Sequence, residues 1–477
     1  MPSTASSEDT RVSAALTIGG EAVAGASAMD VVNPATGEVF ACAPVASPGQ
    51  LDAAVNAAER AFRTWRLDED ARRAALGRCA DALLAAAGEI APVLTAEQGK
   101  ILSESRREFL GAAAWFRYYA GLELPRVIVQ DDERALSEAA RRPIGPVAAI
   151  TPWNAPIYIG VAKVATALRA GNTVVLKPSP YTPLSTLMVG QLLSEILPAG
   201  VLNVISGGDD LGPLLTTHAL IRKISFTGSI ATGKKIAAAA ASDLKRLTLE
   251  LGGNDAAIVF ADADPAFTAD GLFSSAFSNT GQVCVAPKRV YAAESVLPAL
   301  VEALAERARS ARIGDGAASG TEFGPLNNAP QRERVAGLVA DAVASGGTVV
   351  TGGHVIAGPG FFHDLTIVTG VDDGVRIVDE EQFGPALPVM GFRSVEDAVQ
   401  RANATRFGLG ASVWTADPER AVPVARALEA GTTWINTHKV LAPQNPFAGS
   451  KWSGLGIEGG PWGLAENTAS AFVYQPR

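Results

Sequence analysis

The chain has 477 residues, of which 48% are hydrophobic and 19% are charged, and its formal net charge is −9. A chain of this length predicts two large domains with inserted elements. The acidic balance argues against a nucleic-acid surface, because phosphate backbones are bound by concentrated Lys and Arg. No window of about 18 residues is an unbroken apolar run, so we expect no transmembrane helix.

The cysteines and histidines point to no metal or disulfide chemistry. Cys42, Cys79 and Cys284 lie far apart without C-x-x-C spacing, and the four histidines form no ligand pair. We therefore expect neither a disulfide framework nor a metal site. The first ten residues, "MPSTASSEDT", lack the basic start and the apolar run of a secretory signal. They predict a frayed N-terminus and a cytoplasmic location.

Along the chain, a helical region gives way to an α/β pattern. Residues 48–98 have helical periodicity, with Pro48 well placed at its start. In residues 121–146, polar and apolar residues alternate and several are charged, which predicts a projecting hairpin. From residue 146, short apolar runs alternate with stretches of helical length, which is typical of parallel βα units. The runs are "PVAAIT", "TVVLK", "LNVIS", "KISFT", "RLTLE" and "AAIVF".

A second α/β region begins near residue 253. Helical patterns cover 295–311 and 330–346, and the strand-like runs are "TVVTGG", "RIVDEE" and "GASVWT". The nearly continuous apolar strands predict mostly parallel sheets covered by helices on both faces. The predicted fold class is therefore α/β.

The stretch "FTGSIATGKK", residues 226–235, has the spacing of a P-loop from Gly228 to Lys234. Residue 235 is also lysine, whereas a P-loop requires Ser or Thr there to hold magnesium. The strand "KISFT", followed by Gly228, Ser229 and an Ala-rich run, predicts a strand, a tight turn and a helix N-terminus. Such an end favours an anion and would suit a dinucleotide pyrophosphate without magnesium. A plain βα turn is the alternative interpretation.

A second glycine motif is rejected on its context. Gly454, Gly456 and Gly459 formally satisfy G-x-G-x-x-G, but they follow a loop-like stretch near the C-terminus. A dinucleotide fingerprint follows a strand and opens a helix, so we do not assign this one to a cofactor.

Three scattered residues together supply the parts of a covalent mechanism. Cys284 in "NTGQVCVAPKR" offers a nucleophile, Glu250 in "LELGGND" a base, and Asn154 in "TPWNAP" an amide donor. Each also has an ordinary interpretation, as a buried core thiol, a strand-end charge and a turn residue respectively.

With these motifs in view, the sequence resembles the aldehyde dehydrogenase superfamily from about residue 30 to the end. The motifs in family order are "TPWNAP", "KPSP", "FTGS", "LELGGND", "GQVC", "EEQFGP" and "PFAGSKWSG". The resemblance implies a Rossmann-type parallel-sheet cofactor domain, an α/β catalytic domain and a small β oligomerisation element. It assigns 1–122 and 144–252 to the first, 253–452 to the second, and 123–143 and 465–477 to the third.

The resemblance also implies catalytic roles. Cys284 would attack the aldehyde carbon, and Asn154 with the backbone N–H of Cys284 would stabilise the oxyanion. After hydride leaves to the nicotinamide, Glu250 would activate the water that hydrolyses the thioester to a carboxylic acid.

The cofactor residues implied by the resemblance follow strands or lie in "EEQFGP". They are Thr151, Pro152, Trp153, Lys177, Ser179, Gly208, Gly212, Phe226, Thr227, Gly228, Ser229, Leu251, Glu381 and Phe383. Lys177 would face the cofactor ribose, and Glu381 and Phe383 would hold the nicotinamide ribose and ring. Many family members carry Glu at the fourth position of "KPSP", where it binds the adenosine ribose. Here that residue is Pro180, so the usual selector for NAD is absent. We still expect NAD, with NADP as an open alternative.

The resemblance places the substrate pocket at Ala155, Ile159, Ala162, Ser278 and Phe447, together with Trp153 and Trp452. Several positions are small, and no Arg or Lys is evident for a substrate carboxylate. We therefore expect a roomy, mainly apolar pocket for a medium aliphatic, terpenoid or aromatic aldehyde.

Alternatives to a hydrolytic enzyme stay open from sequence. They are a coenzyme-A-acylating aldehyde dehydrogenase, a P-loop-like nucleotide-binding protein and a non-catalytic binding protein of the same fold. The partner is expected to be a small-molecule aldehyde, and the resemblance implies a homodimer or homotetramer.

Overall fold

The computed structural model describes residues 14–477, and the predicted frayed tail without a secretory signal lies outside them. The elements of the first half are, in chain order, β1 (Leu16–Ile18), β2 (Glu21–Val23), β3 (Ser27–Asn33), β4 (Glu38–Val45), α1 (Pro48–Trp65), α2 (Glu69–Gln98), α3 (Leu102–Gly121), β5 (Val127–Asp131), β6 (Ala135–Pro143), β7 (Pro146–Ile150), α4 (Pro156–Arg169), β8 (Thr173–Lys177), α5 (Leu184–Ser194), β9 (Leu202–Val204), α6 (Leu211–Thr217), β10 (Lys223–Thr227), α7 (Ile230–Ala240) and β11 (Arg246–Glu250).

The second half continues the alternation of strands and helices. Its elements are β12 (Asp255–Val259), α8 (Pro265–Ala276), β13 (Pro287–Ala293), α9 (Leu297–Ser310), α10 (Ala329–Ala344), β14 (Thr348–Thr351), β15 (Thr366–Thr369), α11 (Arg376–Asp379), β16 (Ala386–Phe392), α12 (Val395–Asn403), β17 (Gly410–Trp414), α13 (Pro418–Ala427), β18 (Thr432–Ile435), β19 (Gly454–Leu455), α14 (Gly460–Glu466) and β20 (Thr468–Pro476). Short 3₁₀ turns cover Ala241–Asp243, Ser278–Gly281 and Lys451–Ser453.

The first sheet has eight strands in the order β19-β11-β10-β7-β8-β9-β1-β2. Its five central strands are parallel, and β19, β1 and β2 are antiparallel to their neighbours. From β7 the chain builds outward through β8 to β9, and then adds β10 and β11 on the other side. The carboxyl ends of β7 and β10 therefore form a topological switch point, where open α/β sheets bind ligands.

The second sheet has seven strands in the order β14-β15-β16-β13-β12-β17-β18. All of them are parallel except the edge strand β14. Each sheet has its own core, and the core of the second includes the fully buried Tyr291, Val368 and Trp414. The α/β prediction with mostly parallel sheets is confirmed.

The first and second sheets, each with its helices, form two α/β units. A third, three-stranded sheet lies outside both units. The predicted projecting hairpin is present as β5 and β6, and the C-terminal strand β20 pairs antiparallel with β6 over its whole length. Within residues 14–477, the remaining strands β3 and β4 pair only with each other.

The predicted helical region 48–98 consists of two helices. Pro48 does begin α1. The Ser47 hydroxyl accepts from the backbone N–H of Gln50, and the Gln50 side-chain oxygen accepts from the backbone N–H of Ser47. The helix ends at Trp65, and α2 begins after Asp68, whose carboxylate accepts from the Ala71 N–H. Asp68 is thus the capping signal that separates the two helices.

Within the described residues, α2 is long and apolar enough by length and composition to cross a membrane. Its apolar side chains are used inside the fold, because Leu76, Leu83 and Leu94 are fully buried in the core of the first unit. A buried core helix of a folded unit meets the same criteria as a spanning one.

One predicted strand is wrong. "RIVDEE" begins with the helical turn α11, in which the adjacent Ile377 and Val378 are both buried. The Arg376 Nε donates to Glu380 Oε1 at 2.7 Å, an i,i+4 pair that supports a helical turn. A short apolar run fits a buried strand as well as a buried helical turn, which explains the error.

Among the described residues, the cysteines form no disulfide and the side chains of metal-binding type form no cluster. All three cysteines are free thiols, with Cys42 exposed, Cys79 buried in the core and Cys284 partly exposed. Among residues 14–477, no group of three His, Cys, Asp or Glu side chains could hold a metal ion.

Candidate active site

A cavity of about 1180 Å³ is lined by residues of both α/β units. Glu250 ends β11, Asn154 follows β7, and Cys284 lies in the loop before β13. All three line the cavity. The structure therefore brings together the three predicted catalytic residues.

Cys284 follows an unusual turn that is anchored on both sides of the cavity. In the 3₁₀ turn after α8, Asn279 and Thr280 have φ values of 48° and 55°, a left-handed conformation uncommon for residues other than glycine. The Thr280 hydroxyl donates to the Gly324 carbonyl at 2.9 Å, and the Asn279 amide donates to the Asn154 carbonyl at 3.0 Å. Such strain persists where the surroundings enforce it, so the approach of Cys284 to the cavity is fixed.

Burial and three carboxylates raise the pKa of the Cys284 thiol. Burial raises its pKa to about 12, and Glu381, Asp255 and Glu250 add to the increase, whereas Lys288 opposes it. The thiol is therefore protonated at neutral pH in this structure. Because the thiolate is the nucleophile, a base has to remove this proton before the sulfur can attack.

Asn154 is held by contacts to its carbonyl and its side chain. Its amide Nδ2 donates to the Gln282 carbonyl at 2.9 Å, two residues before Cys284. Its own carbonyl accepts from Lys100 Nζ at 2.6 Å. Lys100 also pairs with the buried Glu108, whose carboxylate accepts from the first backbone N–H groups of α4. The amide is thus positioned beside the cysteine loop.

Glu250 is a buried carboxyl group without a partner. Neither of its oxygens has a hydrogen-bond partner among the described residues. Burial raises its pKa well above the usual range, the Glu458 carboxylate raises it further, and Lys163 lowers it. A carboxylate with a raised pKa is a stronger base than an ordinary one, which suits it to take a proton from water.

Lys163 and Glu458 were not predicted as site residues. Lys163 Nζ donates to Glu458 Oε1 at 2.5 Å and to Ser225 Oγ at 3.1 Å, and Glu458 lines the cavity. A lysine in the middle of the mainly apolar helix α4 was the available signal for Lys163. Glu458 lies in the "SGLGIEGG" stretch, so that segment contributes to the site by a carboxylate and not by a glycine fingerprint.

The predicted cofactor residues lie mostly at the carboxyl ends of parallel strands. Thr151, Pro152 and Trp153 follow β7, Lys177 and Ser179 are at the end of β8, Gly208 follows β9, Gly212 is in α6, Phe226, Thr227, Gly228 and Ser229 are at the end of β10, and Leu251 follows β11. Because parallel strands end at one edge, these residues surround the switch point of the first sheet.

The turn after β10 has the predicted strand, turn and helix N-terminus. Ser229 caps α7, its hydroxyl accepting from the Thr232 N–H at 3.2 Å, and the Gly228 N–H donates to the Glu250 carbonyl at 3.1 Å. A Cβ at Gly228 would lie 2.5 Å from the Phe226 ring, so a larger residue there would require the ring to move. Lys234 is exposed on α7, as expected for a residue outside the site.

Two predicted cofactor residues come from the second unit. Glu381 Oε1 accepts from the Gly253 N–H at 3.1 Å, and a side chain at Gly252 would collide with its carboxylate. Burial raises the pKa of Glu381 to about 7, opposed first by Lys288. The Phe383 ring contacts Trp153 edge to face, with the centroids 5.3 Å apart. Glu381 and Phe383 thus reach across to the first unit.

The five predicted pocket residues, Ala155, Ile159, Ala162, Ser278 and Phe447, all line the cavity. The predicted participation of Trp153 and Trp452 is wrong, because neither is part of the lining. Trp452 is instead exposed, with Lys234 Nζ 3.2 Å and Arg406 Cζ 4.5 Å from its ring centroid. These cation–π contacts hold the indole at the surface.

The expected absence of basic side chains near the pocket is also wrong. Lys439 lines the cavity and donates a hydrogen bond to Ser278, and Lys100, Arg107 and Arg307 contribute to the lining as well. Sequence inspection missed Lys439 because it precedes the apolar "VLAP" in a loop whose course the sequence does not reveal.

Comparison with known proteins agrees with this geometry. The sequence model of the aldehyde dehydrogenase family matches residues 22–473. A phenylacetaldehyde dehydrogenase from Pseudomonas fluorescens is 38% identical over 461 residues, which cover 93% of this chain and 91% of that protein. The chain belongs to the aldehyde dehydrogenase family, and it is an aldehyde-oxidising oxidoreductase.

Solved structures of the family superimpose closely on the chain. An aldehyde dehydrogenase from Bacillus cereus in an NAD+ complex has a TM-score of 0.95 and 34% identity, covering 97% of this chain and 96% of that one. A betaine aldehyde dehydrogenase from Staphylococcus aureus in complex with NAD+ has a TM-score of 0.94 and 33% identity, covering 97% and 94%. The predicted aldehyde dehydrogenase-like fold is therefore confirmed.

Proposed function

We propose that the protein oxidises an aldehyde to a carboxylic acid, with NAD or NADP as the hydride acceptor and water as the final nucleophile. The single observation that carries this proposal is the meeting of Cys284, Asn154 and Glu250 on one cavity. Together they offer a nucleophile, an oxyanion donor and a base, which is the set that acyl transfer through a thioester requires.

In the first step, the Cys284 sulfur forms a bond to the aldehyde carbon and the carbonyl oxygen becomes an oxyanion. Its thiol proton has to leave, because the thiolate is the nucleophile. The Asn154 amide and the Cys284 backbone N–H stabilise the oxyanion, giving a thiohemiacetal anion. The loss of one such donor slows acyl transfer by about a hundredfold or more.

When bound, the nicotinamide supplies the acceptor for the hydride that leaves the aldehyde carbon. The carbonyl re-forms and Cys284 is left in a thioester. Glu250 then takes a proton from water, whose oxygen attacks the thioester carbon, and the C–S bond breaks to give the acid and the Cys284 thiolate. Lys163 and Glu458 lie near Glu250 and are hydrogen-bonded to each other. They would relay the water proton away from Glu250.

Features of the first sheet support a dinucleotide at the switch point. The capped N-terminus of α7 presents backbone N–H groups to a pyrophosphate, and Gly228 permits close approach. The hydroxyls of Thr151 and Thr227 are buried without partners among the described residues, so polar groups for a ligand are available there. Lys177 and Ser179 would hold the adenosine ribose, and Glu381 and Phe383 the nicotinamide ribose and ring.

The choice between NAD and NADP is proposed in favour of NAD. Pro180 stands where many family members carry a glutamate, so no carboxylate at that position would repel the 2′-phosphate of NADP. The preference for NAD rests on the relatives instead. The relatives from B. cereus and S. aureus are NAD+ complexes, which supports NAD for this chain.

For the substrate we propose an aldehyde with a medium apolar body, aliphatic, terpenoid or aromatic. Small residues such as Ala155 and Ala162 widen the cavity, and Ile159 and Phe447 give it an apolar wall. The named substrates of the relatives, phenylacetaldehyde and betaine aldehyde, differ in charge and shape, so they do not select one substrate.

The test of the activity is a panel of aldehydes assayed separately by NADH and NADPH formation. We expect oxidation of medium apolar aldehydes with a higher kcat/KM for NAD. No reduced cofactor with any aldehyde would overturn the proposal. Product analysis with and without coenzyme A tests the main alternative: a free acid without coenzyme A supports hydrolysis, whereas acyl-CoA as the required product supports the acylating enzyme.

We also propose a homodimer or homotetramer assembled through the three-stranded sheet. Val127, Ala139 and Phe472 lie in register across β5, β6 and β20, and Val127 and Phe472 are more than half exposed. A row of exposed apolar residues on a small sheet is typical of a protein interface. The cytoplasmic location and the division into domains stay proposals from the sequence.

A further inference from the structure

Lys439 is a basic residue of the cavity lining that has no carboxylate partner among the described residues. Its Nζ donates to the hydroxyl of Ser278, a predicted pocket residue. Among the described residues, Lys439 makes no ion pair within 4.0 Å. Burial lowers its pKa, and the Glu104 carboxylate opposes this shift. The positive charge of the Lys439 ammonium is therefore only partly balanced by negative groups of the protein.

The backbone around Lys439 directs it into the cavity. Lys439 has a φ of 65°, a conformation that costs a residue other than glycine about 1 kcal/mol or more. Both neighbours are anchored: the buried His438 ring bonds to Ser412 Oγ at 2.8 Å, and the Val440 carbonyl accepts from Trp434 Nε1 at 3.0 Å. The strained residue is thus held in place by the residues on either side.

The polar groups beside Lys439 leave a net positive charge. Glu104 Oε1 accepts from Ser278 Oγ at 3.2 Å and from the Asn279 N–H at 3.0 Å, so its hydrogen-bonding capacity is partly used. Lys100 is neutralised by Glu108, whereas the exposed Arg107 has no carboxylate within 4.0 Å among the described residues. Lys439 and Arg107 together outweigh Glu104 by one charge.

We infer that Lys439 makes the cavity select aldehydes that carry a carboxylate at the end remote from the aldehyde group. This inference rests on the proposed function and sharpens its substrate class. Apolar residues such as Ile159 and Phe447 would contact the body of the substrate, and the ammonium would receive its far end. A charge-assisted hydrogen bond in a partly buried site discriminates strongly against a substrate that lacks the acceptor.

The experiment compares substrates that differ only at the far end: hexanal with 6-oxohexanoate, and nonanal with 9-oxononanoate. For at least one pair, Lys439→Met should lower kcat/KM for the carboxylate by roughly tenfold to a hundredfold. The same variant should change kcat/KM for the plain aldehyde by about twofold or less. Lys439→Arg should retain most of the preference. An equal effect of Lys439→Met on both members of each pair, or no effect, would overturn the inference.

Direct binding separates this inference from the proposed activity. Calorimetry with nonanoate and 1-nonanol should show that Lys439→Met weakens nonanoate by about tenfold and leaves 1-nonanol unchanged. An enzyme that oxidises no aldehyde would refute the proposed function, while the nonanoate result would still decide the role of Lys439. Unfolding midpoints verify folding, and Lys439→Gln, which removes the charge and keeps a donor, replaces the Met variant where that one is unstable. Unchanged nonanoate affinity in a folded variant contradicts the inference.

Discussion

At the scale of single residues, the chemistry depends on side chains whose surroundings alter their proton affinity. Cys284 and Glu250 both have raised pKa values because burial disfavours their charged forms. Both groups line the same cavity. Their surroundings therefore favour the protonated form of each, and each has to lose its proton before it acts as nucleophile or base.

Replacement of the proposed nucleophile gives the first prediction. Cys284→Ser should lower kcat by roughly a thousandfold or more, because a serine hydroxyl is a far weaker nucleophile than a thiolate. Cofactor affinity, measured by calorimetry, should be preserved. The matched control is the exposed Cys42→Ser, which should keep full activity. Undiminished turnover in Cys284→Ser would refute the role.

Replacement of the proposed base separates the two half-reactions. Glu250→Gln should slow the hydrolysis of the thioester by about a hundredfold or more, because the neutral amide cannot take a proton from water. Rapid mixing should show a burst of NADH close to one equivalent per active site, followed by a slow steady state. A variant in which hydride transfer slows as much as hydrolysis, without a burst, would contradict the assignment.

The neighbours of Glu250 predict shifts in the pH profile of kcat. The Glu458 carboxylate raises the pKa of Glu250, so Glu458→Gln should lower it. Because the base acts when deprotonated, the acidic limb of the profile should move to lower pH. Lys163→Met removes a cation that lowers this pKa, and the limb should move to higher pH. Shifts in the same direction for both variants would exclude this coupling.

At the scale of elements, the buried pair of Lys100 and Glu108 joins three parts of the site. Glu108 is in α3, its carboxylate accepts from the start of α4, and Lys100 donates to the carbonyl of Asn154. The side chains are only 3% and 9% exposed, so neither charge is well solvated. This pair fixes the oxyanion donor relative to the helices behind it.

Breaking that pair should affect both stability and rate. Lys100→Met leaves Glu108 buried without its cation, and we expect the free energy of unfolding to fall by about 3–5 kcal/mol. Urea unfolding followed by tryptophan fluorescence measures this loss. The double variant Lys100→Met, Glu108→Gln should recover part of the stability but not the rate, because the Asn154 carbonyl still lacks its donor. Full recovery of both would argue against a positioning role.

At the scale of the whole molecule, the small sheet of β5, β6 and β20 has exposed apolar residues that the two larger units do not cover. Val127→Glu and Phe472→Glu combined should yield a smaller species, measured by light scattering after size exclusion, because charges at an apolar contact are costly to desolvate. The control is Leu67→Glu, which changes a residue that is 75% exposed outside this sheet. An unchanged mass would exclude this face as the interface.

How far the sequence predicts the structure depends on the range of the interactions. The strands, the capped start at Pro48 and the projecting hairpin follow from local periodicity and turn chemistry, and the structure contains them. The family resemblance supplied Cys284, Asn154 and Glu250, and their meeting at the cavity is consistent with it. "RIVDEE" was predicted wrongly because adjacent apolar residues fit a strand as well as a buried helical turn.

The amino-acid sequence by itself determined the α/β class, the family and the candidate nucleophile, because periodic burial and ordered motifs are written in local spacing. Only the tertiary structure decided that Trp452 lies at the surface, that Lys163 and Glu458 meet beside Glu250, and that Lys439 enters the cavity. Those facts depend on contacts between segments far apart in the sequence, and for Lys439 on a loop held by distant partners, such as His438 hydrogen-bonded to Ser412. A side chain's position in such a loop is set by packing between segments far apart in the sequence, and no local pattern encodes it.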